Sequence, residues 1–202
     1  MNKTAKFFLL SLAFSIVMQP AFGEERIQEA TKRLQIAYDV DVVIAGGSVP
    51  AVAAAVLIAE KGHSVFLLTD RPYLGEDVCM HLAYLIPEKT KDPLLRALWG
   101  GETKTTPMQV KRGLDQALLD SEVKFLTECY PAEVLLGNNG RVSGITIVNR
   151  SGRQIVRSKV VVDATEHAVL ARHAGVPLVE FEPGERSFTF MSVGGEKHVP
   201  NT

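Results

Sequence analysis

The chain has 202 residues, 46% of them hydrophobic and 22% charged, with a net charge of −1. This composition excludes a disordered or fibrous chain and bounds the molecule to one domain, or one domain plus part of another. The near-neutral balance, with no basic stripe mixed with aromatics, gives no footprint for nucleic acid.

Lys3 and Lys6 precede an apolar run from Phe7 to Met18, which Gln19 and Pro20 break. Ala21-Phe22-Gly23 supplies small residues before a cut after Gly23, so residues 1–23 match the three-part pattern of a secretory signal. The apolar run, about 12 residues, is short for a bilayer span. An uncleaved membrane anchor is the alternative. On the signal reading the protein is exported, to the periplasm or beyond the cell, with no other membrane attachment expected. Cys79 and Cys129 are open to pairing in that compartment or to remaining buried thiols. The scattered histidines and the absence of a CxxC motif predict no metal site.

Residues 24–40 read as a lead-in, with helical spacing of Ile27, Ala30 and Leu34 over Glu24–Ile36. Asp41–Ala45 reads as a buried parallel strand, Val49–Lys61 as a helix with Pro50 in its first turn, and Ser64–Thr69 as a second strand. Gly62 suits the position just past that helix. Together they predict a right-handed βαβ unit. Arg71–Thr106 is irregular, Pro107–Asp120 helical, and Val123–Thr127 a short strand. Glu133–Leu136, Arg141–Asn149 and Arg153–Arg157 are separated by "GNNG" and "RSGR", which predicts a three-stranded antiparallel meander. Lys159–Asp163 reads as another buried strand, Ala164–Ala174 as a helix ended by Gly175, and Arg186–Val193 as the start of a further strand.

The turn between the first strand and its helix carries chemistry. In dinucleotide-binding folds three small residues here permit a tight turn, close approach of the backbone to a pyrophosphate, and close helix–strand packing; the helix N terminus faces the anion. Gly46, Ser48 and Ala51 hold these positions, with Gly47 between the first two. Ser48 departs from glycine but remains small, with a hydroxyl able to donate to phosphate. As an isolated pattern G-x-S-x-x-A is weak; the βαβ frame strengthens it. The ribose-binding acid is expected at the end of the second strand. Asp70 lies about 19 residues after Ala51, close to the ~20 of such sites. A solvated loop charge is the plainer reading of Asp70.

Three stretches in this order, "DVVIAGGSVPAVAAAVLIAEKGHSVFLLTD", "RPYLGEDVC" and "GRVSGITIVNRSGRQIVRSKVVVDATEHAVLARHAGVPL", resemble the FAD-dependent oxidoreductases of the glutathione-reductase-like group, most closely the bacterial family that includes xanthan-lyase-like members. "TPMQVKRGLDQALLDSEVKFL" fits that family's middle helix and strand, and the resemblance covers Asp41–Leu178. It implies an α/β fold: a Rossmann-like FAD-binding domain over residues 41–182, with a parallel sheet and an inserted three-stranded antiparallel meander. Residues 183–202 would open a truncated substrate domain, so the sequence reads as an N-terminal portion. A meander before the last parallel strand favours FAD over NAD.

The resemblance places Gly46, Gly47 and Ser48 along the pyrophosphate, Ala51 at the close-packing position, and Leu74-Gly75-Glu76 near the flavin end. Tyr130 to Ala132 would pass the adenine, and Asp163-Ala164-Thr165 would return beside the cofactor. A strict alignment from Gly46 puts the ribose acid on Thr69; the side-chain chemistry favours Asp70. Gly75-Glu76 stands where the family has Gly-Gly, and Thr165-Glu166-His167 where it has Thr-Gly-Asp. The paired redox cysteines of disulfide reductases are missing. The implied activity is hydride transfer between a small-molecule substrate, FAD and an electron acceptor; a non-catalytic FAD-binding remnant and a NAD(P)-binding reductase are the alternatives. No general base is identified: His81 and His167, the histidines near the cofactor loops, read as surface or packing residues rather than as a base.

Overall fold

The computed structural model describes residues 33–84, 96, 104–179, 182–185 and 187. The expected signal (1–23), residues 24–32 of the expected first helix, and all of the expected strand 186–193 except Ser187 lie outside the described residues.

Strand β1 (Ile36–Ala45) is a ten-residue strand in the middle of a six-stranded sheet of order β3-β2-β1-β6-β5-β4. It begins five residues before the expected Asp41, so the predicted lead-in helix does not reach Ile36. The cause is its neighbour: Ile155 donates to the carbonyl of Gln35, and pairing with β6 then runs from Ile36 onward. Tyr38 is fixed by stacking on Phe66 at 4.1 Å between centroids.

Helix α1 (Val49–Glu60) follows the turn, and Gly62, at φ +83°, takes the left-handed position just beyond its C-cap, Lys61. Strand β2 (Val65–Leu68) runs parallel to β1 with every residue buried. The short helix α2 (Glu76–Cys79) lies in the stretch expected to be irregular. Helix α3 (Pro107–Asp120) starts as predicted and has a reciprocal capping box between Thr106 and Gln109. Strand β3 (Lys124–Leu126) extends the parallel sheet beside β2.

The meander is β4 (Tyr130–Leu136), β5 (Val142–Asn149) and the first half of β6 (Gly152–Asp163). The two strands expected at Arg153–Arg157 and Lys159–Asp163 are one. Nothing in "RQIVRSKVVVD" breaks an extended chain, so β6 pairs antiparallel with β5 at its start and parallel with β1 along its length. Its second half is less buried than expected. Lys159 is exposed and Val160 retains 50% of its surface. Lys159 Nζ meets Asp41 Oδ1 at 2.6 Å, while Asp41 Oδ2 accepts from the Ser64 backbone at 2.9 Å and its hydroxyl at 2.8 Å. These partners hold the Asp41 carboxyl well below the usual carboxylate range. Pro131 is accommodated because β4 is an edge strand.

The sheet has two apolar faces. On one, Val42, Ile44, Val65 and Leu67 pack with Val52 and Ala55 of α1, Val78 of α2, and Leu114 and Leu118 of α3. On the other, Val43, Ala45, Phe66 and Leu68 meet Ile145, Ile147, Val156 and Leu170, so the meander and helix α4 (Val169–His173) cover the side that the longer helices leave open. Helix α4 is shorter than the expected Ala164–Ala174, because Ala168 adopts a left-handed conformation at φ +50° and starts the helix late. Cys79 and Cys129 are both buried and free. Among the described residues, no helix is long and apolar enough to cross a membrane, and no cluster of three His, Cys, Asp or Glu side chains is arranged for a metal.

Candidate functional site

The carboxyl ends of β1, β2 and β6 lie side by side. The chain leaves β1 towards β2 on one flank, while β6 lies on the other, which makes this edge the topological switch point where open α/β sheets bind ligands. Gly46 sits there at φ +133°, and a β-carbon on it would come within 2.6 Å of the Ala164 carbonyl carbon, at the end of β6. Its N–H donates to the Leu68 carbonyl at 2.8 Å, and the Ala164 N–H donates to the Ala45 carbonyl at 2.8 Å. The turn thus brings three chain segments within backbone distance, and only glycine fits at its start. Gly47 is equally tight against a different wall: a β-carbon there would lie 2.7 Å from Thr69 Cβ and Oγ1.

Ser48 is the N-cap of α1; its Oγ accepts from the Ala51 N–H at 3.4 Å. Ala51 is buried against the sheet, as the close-packing position requires. Gly75, at φ +81°, packs against Leu114 and Val110 and donates its N–H to the Gly47 carbonyl at 2.7 Å. It therefore clamps α2 onto the turn rather than lining open space.

Beside Gly46 opens a cleft of about 170 Å³. It is lined by Leu68, Thr69, Asp70, Arg71 and Glu76 from the end of β2 to α2, by Tyr130 and Pro131 at the start of β4, and by Thr165, Glu166, His167 and Val169 where β6 leads into α4. Of the residues singled out in the sequence, the cleft brings together Gly46, Thr69, Asp70 and Thr165. Gly47, Ser48 and Ala51 lie behind it in the turn and helix. Ala132 is a half-buried residue of β4 outside the lining, although its neighbours Tyr130 and Pro131 are in it. Asp163 is spent within its own loop: Oδ1 accepts from the Thr165 N–H and hydroxyl at 3.1 and 2.6 Å, and Oδ2 from the Ala171 N–H at 2.8 Å. Thr165 Oγ1 in turn accepts from the Val169 N–H at 2.8 Å. These bonds build the wall that carries Glu166 and His167.

The two candidates at the end of β2 differ in kind. Thr69 is 1% exposed, and its Oγ1 accepts from the Arg71 N–H at 3.2 Å and donates to Glu76 Oε2 at 3.4 Å. Asp70 leaves 47% of its side chain exposed, with only a 3.9 Å approach to Arg71 Nε. Both line the cleft, and Asp70 is the more exposed of the two.

Two acidic residues of α2 matter more than their sequence positions foretold. Glu76 reaches the cleft, and burial, followed by the nearby Asp70, pushes its carboxyl above the usual glutamate range. Asp77 turns the other way and accepts from the Val49 N–H through both oxygens, at 3.1 and 3.2 Å. The signal was Gly75-Glu76-Asp77 itself, where carboxylates follow the glycine of a cofactor-facing turn. What no spacing could give was the fold of α2 back onto α1.

A sequence-family model described as FAD dependent oxidoreductase matches residues 41–189. No curated protein matches the chain. Among solved structures, the Thermovibrio ammonificans protein THI4 is 17% identical, with 88% of this chain and 72% of that one covered at a TM-score of 0.55. L-proline dehydrogenase from P. horikoshii is 15% identical, with coverage of 69% and 56% and a TM-score of 0.53. A geranylgeranyl bacteriochlorophyll reductase-like protein from Thermoplasma acidophilum is 17% identical, with coverage of 69% and 42% and a TM-score of 0.51. At such identities the likeness establishes the fold. The chain spans about half the length of the latter two proteins.

Proposed function

Because the chain belongs to the FAD dependent oxidoreductase family, whose cofactor is FAD, we propose that it is an exported oxidoreductase acting on a small-molecule substrate. Bound FAD would supply the hydride chemistry, and the residues of the turn and cleft would bind, orient and shield it. The observation that carries this reading is Gly46, held at φ +133° between the ends of β2 and β6, the two parallel strands that flank β1, and lining the cleft. A backbone without a side chain at that point is what the tight turn beneath a pyrophosphate needs.

In this reading Gly46 and Gly47 admit the phosphates, and Ser48 and Ala51 fix the start of α1 and its distance from the sheet. Gly75 holds α2 against the turn. Asp70 accepts from the ribose hydroxyls, with Thr69 behind it as the shorter, already bonded alternative. Tyr130 and Pro131, next to Ala132, flank the adenine. Asp163 and Thr165 hold the opposing wall. The leader at residues 1–23 supports export to the periplasm or the medium.

The test is a pair of titrations, one with FAD and one with NAD, each followed by protein fluorescence. Saturable binding of FAD with no response to NAD is expected; the reverse would assign the cleft to a nicotinamide reductase. Mass spectrometry of exported protein should find Glu24 as the first residue, whereas an intact Met1–Gly23 segment in the membrane fraction would favour an anchor.

A further inference from the structure

The N terminus of α1 already holds an anion, and it belongs to the chain. Asp77 places both carboxylate oxygens on the Val49 N–H, at 3.1 and 3.2 Å. The rest of the first turn is also committed: Pro50 has no N–H, the Ala51 N–H goes to Ser48 Oγ, and the Val52 N–H goes to the Ser48 carbonyl. A helix N terminus with aligned N–H groups is the usual seat of the pyrophosphate in this kind of turn. Here its leading donor is taken by a carboxylate carried on a separate helix. That helix is anchored to the same turn by the Gly75 N–H on the Gly47 carbonyl at 2.7 Å, so the carboxylate is held in position rather than drifting across it.

We infer that Asp77 is an internal competitor for the pyrophosphate position and sets the affinity of the site. The inference rests on the FAD-binding reading above. The carboxylate satisfies the α1 terminus in the free protein. It must leave Val49 before the phosphates can take that donor, because two anions on one N–H repel each other and only one can accept the bond along its axis. Asp77 therefore stabilises the free protein and weakens the complex. A residue that merely supports the fold would change both in the same direction.

Three variants test this: Asp77→Asn, which keeps the shape and removes the charge; Asp77→Ala, which removes the side chain; and Glu60→Gln, a charge control at the exposed far end of α1. FAD affinity is read by quenching of flavin fluorescence, and the melting temperature of the FAD-free protein by circular dichroism. Losing the hydrogen bond to a charged group is expected to tighten FAD about tenfold in Asp77→Ala, and by less in Asp77→Asn, whose neutral amide oxygen still accepts from Val49 but competes more weakly with a phosphate. Their FAD-free melting temperatures should fall, and Glu60→Gln should leave the affinity unchanged. Binding by the wild type with equal or weaker binding by folded Asp77→Asn overturns the inference and leaves the FAD site intact. No binding by any of the four proteins overturns both.

Discussion

Gly46→Ala examines the turn at its tightest point. The residue sits at φ +133°, a conformation that L side chains rarely adopt, and holding a non-glycine residue there costs about 1–3 kcal/mol. The added β-carbon would also face the Ala164 carbonyl, a backbone group held by its own N–H bond to Ala45. Forcing a methyl into such a contact costs about 1–3 kcal/mol more. The total, about 2–6 kcal/mol, is a large part of the ~5–15 kcal/mol by which domains are stable. Gly62→Ala is the control: its φ is also positive, at +83°, but nothing lies within 4 Å of the added atom. It should therefore cost only the left-handed penalty, about 1–2 kcal/mol. Urea unfolding with a shared slope gives both values. If Gly46→Ala costs no more than Gly62→Ala, the close approach of Gly46 to Ala164 does not exist in solution.

Asp70→Ala should weaken FAD binding by about 1–3 kcal/mol, the range for a hydrogen bond to a charged group, and Thr69→Ala by less than half of that; the reverse order in a flavin titration gives the ribose to Thr69. Ser48→Ala should lower stability by about 0.5–2 kcal/mol through loss of the helix cap, and Ser48→Gly by only a few tenths. Neither should abolish FAD binding, and abolition by Ser48→Gly would make the hydroxyl a required ligand. The carboxyl of Glu76 is raised in the folded protein, so its contribution to stability is full below the usual glutamate range and is lost as pH rises through the raised value. Glu76→Gln should therefore match the wild type in acid and melt higher at neutral pH; a lower neutral melting temperature would contradict the burial ascribed to this side chain.

The stretch from Val42 to Asp70 was legible because each local signal agrees with the others. Its strands lack polar residues on either face, Pro50 suits a helix start, and Gly62 suits a helix end. The meander was legible from its turns but not from its last strand. Arg153–Arg157 and Lys159–Asp163 carry different patterns because β6 is paired with β5 as far as Arg157, where β1 already flanks it, and with β1 alone beyond, and a single strand in two environments reads as two. The start of α4 was hidden for another reason. In "ATEHAVL" the alanines, Glu166 and Leu170 favour a helix, but Asp163 and Thr165 spend their side chains on backbone N–H groups and delay the helix to Val169. At the site, glycine and end-of-strand positions pointed to Gly46, Thr69, Asp70 and Thr165. The roles of Glu76 and Asp77 depend on how α2 packs between α1 and α3, a tertiary matter that no local spacing encodes.

Retention of FAD tests the central claim most directly. Wild-type protein and Gly46→Val are each mixed with excess FAD, passed through gel filtration, and read for flavin absorbance in the protein peak. The wild type should carry flavin near one equivalent per chain, and folded Gly46→Val should carry none, because a branched side chain driven against the Ala164 backbone displaces the tight turn that the phosphates approach. A wild-type peak free of flavin, or a folded Gly46→Val that retains as much as the wild type, would contradict the account.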